Sequence, residues 1–169
     1  NPRCSTLLNR FTLGEMIEKR KIVEKAAVRF AIERAEDDDL ESLRKIQEKT
    51  RKSIGDKEKF IECDFAFHSA IAEAAGNSML FKTVQTMRKL MAEFNHELLD
   101  SKTYRTNVST QHGVILDAIV KRDADAALEA MDKHLDNVVN LAIGSQRDED
   151  PVAAETTARQ AGGRRGKGD

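Results

Sequence analysis

Three histidines and one aspartate carry the chemistry this chain could do. Asp64 and His68 lie four residues apart within Phe60-Ile61-Glu62-Cys63-Asp64-Phe65-Ala66-Phe67-His68-Ser69-Ala70-Ile71-Ala72, the most apolar stretch of the sequence. On a helix that spacing puts both side chains on one face. The same spacing seats two ligands on one ion in helical zinc proteases. An ionised carboxylate among phenylalanines is costly unless something compensates it. His112 has Ile115 and Ile119 at i+3 and i+7, and His134 has Met131, Val138 and Leu141 at i−3, i+4 and i+7. Three of the four histidines thus face apolar stripes, whereas His96 lies among Lys89, Glu93 and Asp100 on a polar face. Taken singly, each inward histidine is an ordinary core residue and Asp64 a partner for a buried arginine. Taken together, all four are accounted for by one bound metal ion.

Three imidazoles and a carboxylate leave positions open on a five- or six-coordinate ion, the mark of a site that binds something else. A divalent transition metal suits these nitrogen and oxygen ligands, zinc foremost, with nickel, iron and manganese also acceptable. Two arginines extend the pattern. Arg20 interrupts an apolar stripe between Ile17 and Val23, and Arg88 does so between Val84 and Met91, with Asn95 at i+7. An inward guanidinium can grip a carboxylate at two points. Arg20, Arg88 and Asn95 are therefore the candidate contacts for a small organic acid that chelates the metal. The plainer alternative for each arginine is an internal salt bridge, such as Arg20 with Glu24.

The elements that must position these groups are all helical. Thr12 with Glu15 has the capping-box spacing, and Met16, Ile17, Arg20, Val23, Ala27 and Phe30 follow a helical stripe. Asp37-Asp38-Asp39 offers the next start, Gly55 an end, and Asp56 the cap of a helix over about 57–75. That third helix is apolar around most of its circumference, which predicts a central place. Gly76 fits its C′ position, and Asn77 or Ser78 the next cap. A fourth helix carries Leu80, Phe81, Val84, Met87, Met91, Phe94 and Leu98; a fifth covers roughly 106–121; Asp123 caps a sixth. No segment alternates as a strand. The expected fold is all-α, an antiparallel bundle of six to seven helices with short connections. Residues 1–11 read as a linker remnant, 12–144 as the helical domain, and 145–169, with Pro151, several glycines and no aromatic residue, as a disordered tail.

Bulk properties narrow the class. The 169 residues fit one domain, with 40% hydrophobic and 34% charged residues and no tryptophan. A net charge of −1 gives no global field toward DNA or a membrane. No apolar run approaches the ~20 residues that span a bilayer, and the N-terminus lacks a signal-peptide pattern. Cys4 and Cys63 make no disulfide framework, and Cys63, between Phe60 and Phe67, reads as a reduced core cysteine. These features suit the cytoplasm.

Beyond these properties, the segments Glu18-Lys19-Arg20-Lys21-Ile22-Val23-Glu24 and Asp64-Phe65-Ala66-Phe67-His68-Ser69-Ala70-Ile71-Ala72-Glu73-Ala74-Ala75-Gly76-Asn77 resemble the C-terminal effector-binding (FCD) domain of GntR-type transcriptional regulators, FadR subgroup. Gln111-His112-Gly113-Val114-Ile115-Leu116-Asp117-Ala118-Ile119 and Met131-Asp132-Lys133-His134-Leu135 are similar to its later helices. The resemblance covers about residues 12–143. It implies Asp64, His68, His112 and His134 as metal ligands, a small carboxylate effector, and a homodimer. Operator DNA would be bound only through an N-terminal winged helix-turn-helix that is missing here. Gln111 departs from the glutamate usual beside that ligand, which leaves the ligand set intact but alters its surroundings. Two rivals remain at this level: a metal-dependent hydrolase or lyase on a helical bundle, and a metal-free dimerisation module whose histidines fill the core.

Overall fold

Helix boundaries in this chain fall where short polar side chains can partner backbone groups. The structure, a computed structural model, describes the backbone of residues 2–90 and 98–147 and the side chains of 14–89 and 98–138. Among the described residues there are six helices and no strand: α1 (Pro2–Arg34), α2 (Asp37–Lys52), α3 (Lys57–Ala74), α4 (Ser78–Leu90), α5 (Lys102–Val120) and α6 (Ala124–Arg147). Asp56 accepts from the Lys59 N–H at the start of α3, and Asn77 Oδ1 accepts from Met79 and Leu80 at the start of α4. Asp123 caps α6 through the Ala126 N–H. Gly76, with φ of 64°, follows the end of α3 in the left-handed region that a residue with a Cβ rarely adopts.

Four boundaries differ from expectation. α1 starts at Pro2 rather than near Thr12. Proline is tolerated in a first helical turn, and no Gly or Pro interrupts residues 3–11. α5 starts at Lys102, because the Ser101 hydroxyl accepts from the Tyr104 N–H and turns the expected polar loop into a first helical turn. α2 is capped at Glu36, whose N–H donates to Asp39, one residue ahead of the aspartate run. α6 continues to Arg147. Residues 148–169, most of the expected tail, lie outside the described residues, as do Met91, Phe94, Asn95 and His96 and the side chain of Leu141.

Two arginines fix the direction of the helices. Arg122 donates to the carbonyls of Ala31, Ile32 and Ala35, and Arg34 donates to that of Ala75. The C-terminal ends of α1, α3 and α5 therefore lie together. At the opposite end Arg105 donates to the carbonyls of Ile54, Leu99 and Asp100, which joins the start of α5 to the end of α2. Odd-numbered helices thus run one way and α2 returns.

α3 packs against α1, α2 and α4, and α6 against α1 and α5. The main core combines Val28 and Ala31 of α1, Phe67 and Ile71 of α3, Ile115 and Ile119 of α5, and Met131 and Leu135 of α6. A smaller cluster of Phe60, Leu99, Tyr104 and Val108 closes the Arg105 end. The site residues lie in a layer between these two apolar regions.

Candidate metal centre

Five helices contribute to one buried polar layer. Arg20 and Glu24 come from α1, Asp64 and His68 from α3, Arg88 from α4, Gln111 and His112 from α5, and His134 from α6. The i, i+4 spacing works twice here, stacking Arg20 under Glu24 and Asp64 under His68 on inward faces. All except the half-buried Gln111 are buried, and His112 is completely enclosed at 0% exposure.

The three inward histidines converge. One ring nitrogen from each of His68, His112 and His134 lies within 4.8 Å of the others. His68 Nε2 and His134 Nε2 are 3.3 Å apart. Asp64 Oδ1 stands 3.4 Å from His112 Nε2 and 3.9 Å from His68 Nε2. All four predicted ligands are therefore in one cluster, the histidines as its close group and Asp64 at its edge.

Each imidazole is held differently on its outer side. His68 Nδ1 lies 2.5 Å from Glu24 Oε2, a close contact with bent hydrogen-bond geometry. His134 Nδ1 lies 3.0 Å from Gln111 Oε1. The His112 ring stacks on Phe67 at 4.2 Å and 11° between planes, and neither of its nitrogens has a hydrogen-bond partner.

The arginines are engaged in the same layer. Arg20 Nε donates to Glu24 Oε1 at 2.5 Å. Arg88 Nη2 pairs with Asp64 Oδ2. Asp64 thus joins two of the sequence expectations, with one oxygen on a buried arginine and the other facing the histidines. Asn95 lies outside the described residues. Cys63 is a free thiol and only half-buried, because it sits on the flank of α3 between the inward Phe60 and Phe67.

Electrostatics set the layer in a metal-ready protonation state. Burial is the largest single influence and would raise the Asp64 carboxyl, but the Arg88 charge together with the neighbouring histidines outweighs it and holds the group well below the usual carboxylate range. Glu24 is lowered in the same way, burial being overridden chiefly by Arg20. Burial pushes His112 down to about 3 and His134 well below its ordinary value. His68 is also lowered by burial, against the opposing pull of Glu24. The carboxylates are ionised and the imidazoles neutral, the forms that bind a divalent cation.

Glu24 is the member of this layer that spacing arguments understate, since they offer it only as an alternative partner for Arg20. The signal was present: Glu24 shares the inward stripe of Ile17, Arg20, Ala27, Val28 and Ala31. A second charge on such a stripe implies a partner from another helix, and sequence alone could not name His68.

Comparison with known proteins fits this geometry. The FCD domain matches residues 15–137. The chain belongs to the FCD family of GntR-type transcriptional regulators. The HTH-type transcriptional repressor NanR of Cronobacter sakazakii is 35% identical over 121 residues, which are 70% of this chain and 46% of the relative. NanR of Salmonella newport is 34% identical over 121 residues with the same coverage. The FCD chain spans about half the length of the curated relatives it matches. Among solved structures, Escherichia coli McbR/YncC aligns with a TM-score of 0.72 at 20% identity, covering 79% of this chain and 68% of that one. Streptococcus agalactiae GntR aligns at 0.66 and 22%, covering 76% and 58%. At these identities the structures speak to the fold alone. Family membership makes this FCD domain an effector-binding regulatory module rather than an enzyme, which sets aside the hydrolase or lyase alternative. No described helix is long and apolar enough to cross a membrane.

Proposed function

We propose that this FCD domain holds one divalent transition metal, zinc foremost, through Asp64, His68, His112 and His134, and that it senses a small organic acid completing the ion's coordination. The observation that carries the reading is the facing pair of nitrogens, His68 Nε2 and His134 Nε2, at 3.3 Å. An amide oxygen only accepts, so Gln111 Oε1 places the His134 proton on Nδ1 and leaves Nε2 a bare lone pair. The Glu24 carboxylate does the same for His68. Two lone pairs at this distance repel unless a cation lies between them. Two donors bonded to one ion at roughly 2.0–2.1 Å are themselves about 3.0–3.4 Å apart. The partnerless nitrogens of His112 add to the case, since each buried unsatisfied polar group costs on the order of 1–3 kcal/mol. A metal-free core module leaves the His112 nitrogens without partners.

Charge balance supports an anionic effector. In the buried layer the guanidinium groups of Arg20 and Arg88 cancel the carboxylates of Glu24 and Asp64, and the imidazoles are neutral. A divalent ion would leave that layer with two excess positive charges, and a small organic acid offsets one of them per carboxylate while binding the open coordination positions. Arg20, Arg88 and Asn95 are the residues assigned to it. The domain acts as a cytoplasmic homodimer, and in the full-length protein operator DNA is contacted by an N-terminal winged helix-turn-helix. Effector binding alters DNA affinity to the extent that it favours one arrangement of the helices over the other.

Metal analysis of protein purified without added metal or chelator tests the first half. The expected result is about one ion per chain. An empty protein that no added zinc, nickel, iron(II) or manganese stabilises would sink the reading. Thermal-shift screening of small carboxylates tests the second half, with stabilisation expected in metal-loaded protein and lost in chelator.

A further inference from the structure

Glu24 is a buried carboxylate on the one helix of the metal layer, α1, whose other contribution is an arginine. Its two oxygens divide between helices. Oε1 accepts from Arg20 Nε within α1, and Oε2 meets His68 Nδ1 of α3, both at 2.5 Å. Glu24 is 2% exposed and His68 is equally enclosed, so no water competes for either group. A carboxylate behind an imidazole fixes which nitrogen carries the proton, holds the ring plane and makes the opposite nitrogen a stronger donor.

We propose that Glu24 is the positioning residue of the metal centre, fixing His68 with Nδ1 protonated and Nε2 turned to the cluster. The role rests on the metal-site reading above and adds to it a residue that binds no metal. Arg20 belongs to the same arrangement: by gripping Oε1 it sets the carboxylate's orientation, so Oε2 is presented to His68. His134, backed by the neutral amide of Gln111, has the weaker support of the two. Glu24 also ties α1 to the centre, since α1 supplies no ligand of its own.

The test is Glu24→Gln, which keeps side-chain size and removes the charge. Zinc affinity is measured by competition with a chromophoric chelator, and fold by circular dichroism. The expected result is a zinc dissociation constant raised by roughly 10–100-fold with one ion per chain still bound. Equal affinity in variant and parent overturns the role of Glu24 while leaving the four-ligand site standing. A parent protein that binds no zinc removes the site itself and Glu24's role with it. Because the variant could misfold with Arg20 deprived of its carboxylate, a second measurement uses the parent alone. Nitrogen-15 shifts of His68 in zinc-free protein are expected to show Nδ1 protonated and Nε2 bare. The opposite tautomer overturns the proposal whatever the variant does.

Discussion

The arginines at the ends of this bundle and those in its middle layer differ in one respect. At the ends, Arg105 and Arg122 each spend their guanidinium on three backbone carbonyls left over by helix termini. There the guanidinium groups serve as added donors to carbonyls at the helix ends. In the middle layer Arg20 and Arg88 pair with carboxylates, yet the nitrogens of His112 remain without hydrogen-bond partners and the Nε2 atoms of His68 and His134 face each other at 3.3 Å. Native cores rarely leave such groups open. The ends are closed by the chain's own donors, whereas the proposed metal would supply what the middle layer lacks.

The largest expected effect comes from deleting a proposed ligand. His134→Ala should weaken zinc by more than the roughly 10–100-fold typical of residues that only orient a ligand, and the added stability of the metal-loaded protein should fall with it. Competition titration with thermal melts with and without zinc reads both. Retained stoichiometry and affinity would take His134 out of the centre and erase the contrast with the ends.

Arg105→Ala should invert that pattern. It exposes no ligand, but it strips three carbonyls of their donor at a buried helix junction, an expected loss of about 3 kcal/mol in denaturant unfolding. Zinc affinity should stay at the parent value. A variant that loses metal as well as stability would mean the two regions are one cooperative unit.

The difference between the regions also explains what the sequence could reveal. Caps at Asp56, Asn77 and Asp123, the turn at Gly76 and the central place of α3 rest on local chemistry, so they were legible in advance. The inward faces of His68, His112 and His134 were legible from period alone. Contacts between helices were not. Nothing in the local pattern at Glu24 points to His68, and nothing near Arg122 points to the carbonyls at the end of α1. The starts of α1 and α5 were misplaced for a related reason. A polar stretch such as Ser101 to Thr106 reads as a loop until one hydroxyl is seen to cap it.

Acid should act on the middle layer before the ends. Unfolded histidines titrate near 6.5, whereas burial holds His112 near 3 in the fold. The folded chain therefore binds fewer protons than the unfolded one between those values, and stability present above pH 6.5 is lost as pH falls toward 3. At roughly 1.4 kcal/mol per unit, His112 alone implies a loss of about 2 kcal/mol for metal-free protein between pH 6.5 and 5. The lowered His68 and His134 act in the same direction. Urea unfolding of metal-free protein at several pH values measures the slope. A flat profile across this range would mean that the imidazoles already bind protons in the fold, so they could not be ligands without first losing them.

The smallest effect separates the two outer supports within the centre. Gln111 presents a neutral oxygen to His134, where Glu24 presents a charged one to His68. Gln111→Glu keeps the acceptor and adds the charge, which should strengthen His134 as a donor and tighten zinc by up to about tenfold. Gln111 is only half-buried, so solvent screens part of the added charge and the gain should fall short of the loss in Glu24→Gln. Comparing the two variants in one competition assay tests whether burial or charge decides the worth of a supporting oxygen. A gain in Gln111→Glu as large as the loss in Glu24→Gln would show that charge alone matters. No gain at all would show that the amide already supplies what His134 needs, which is orientation.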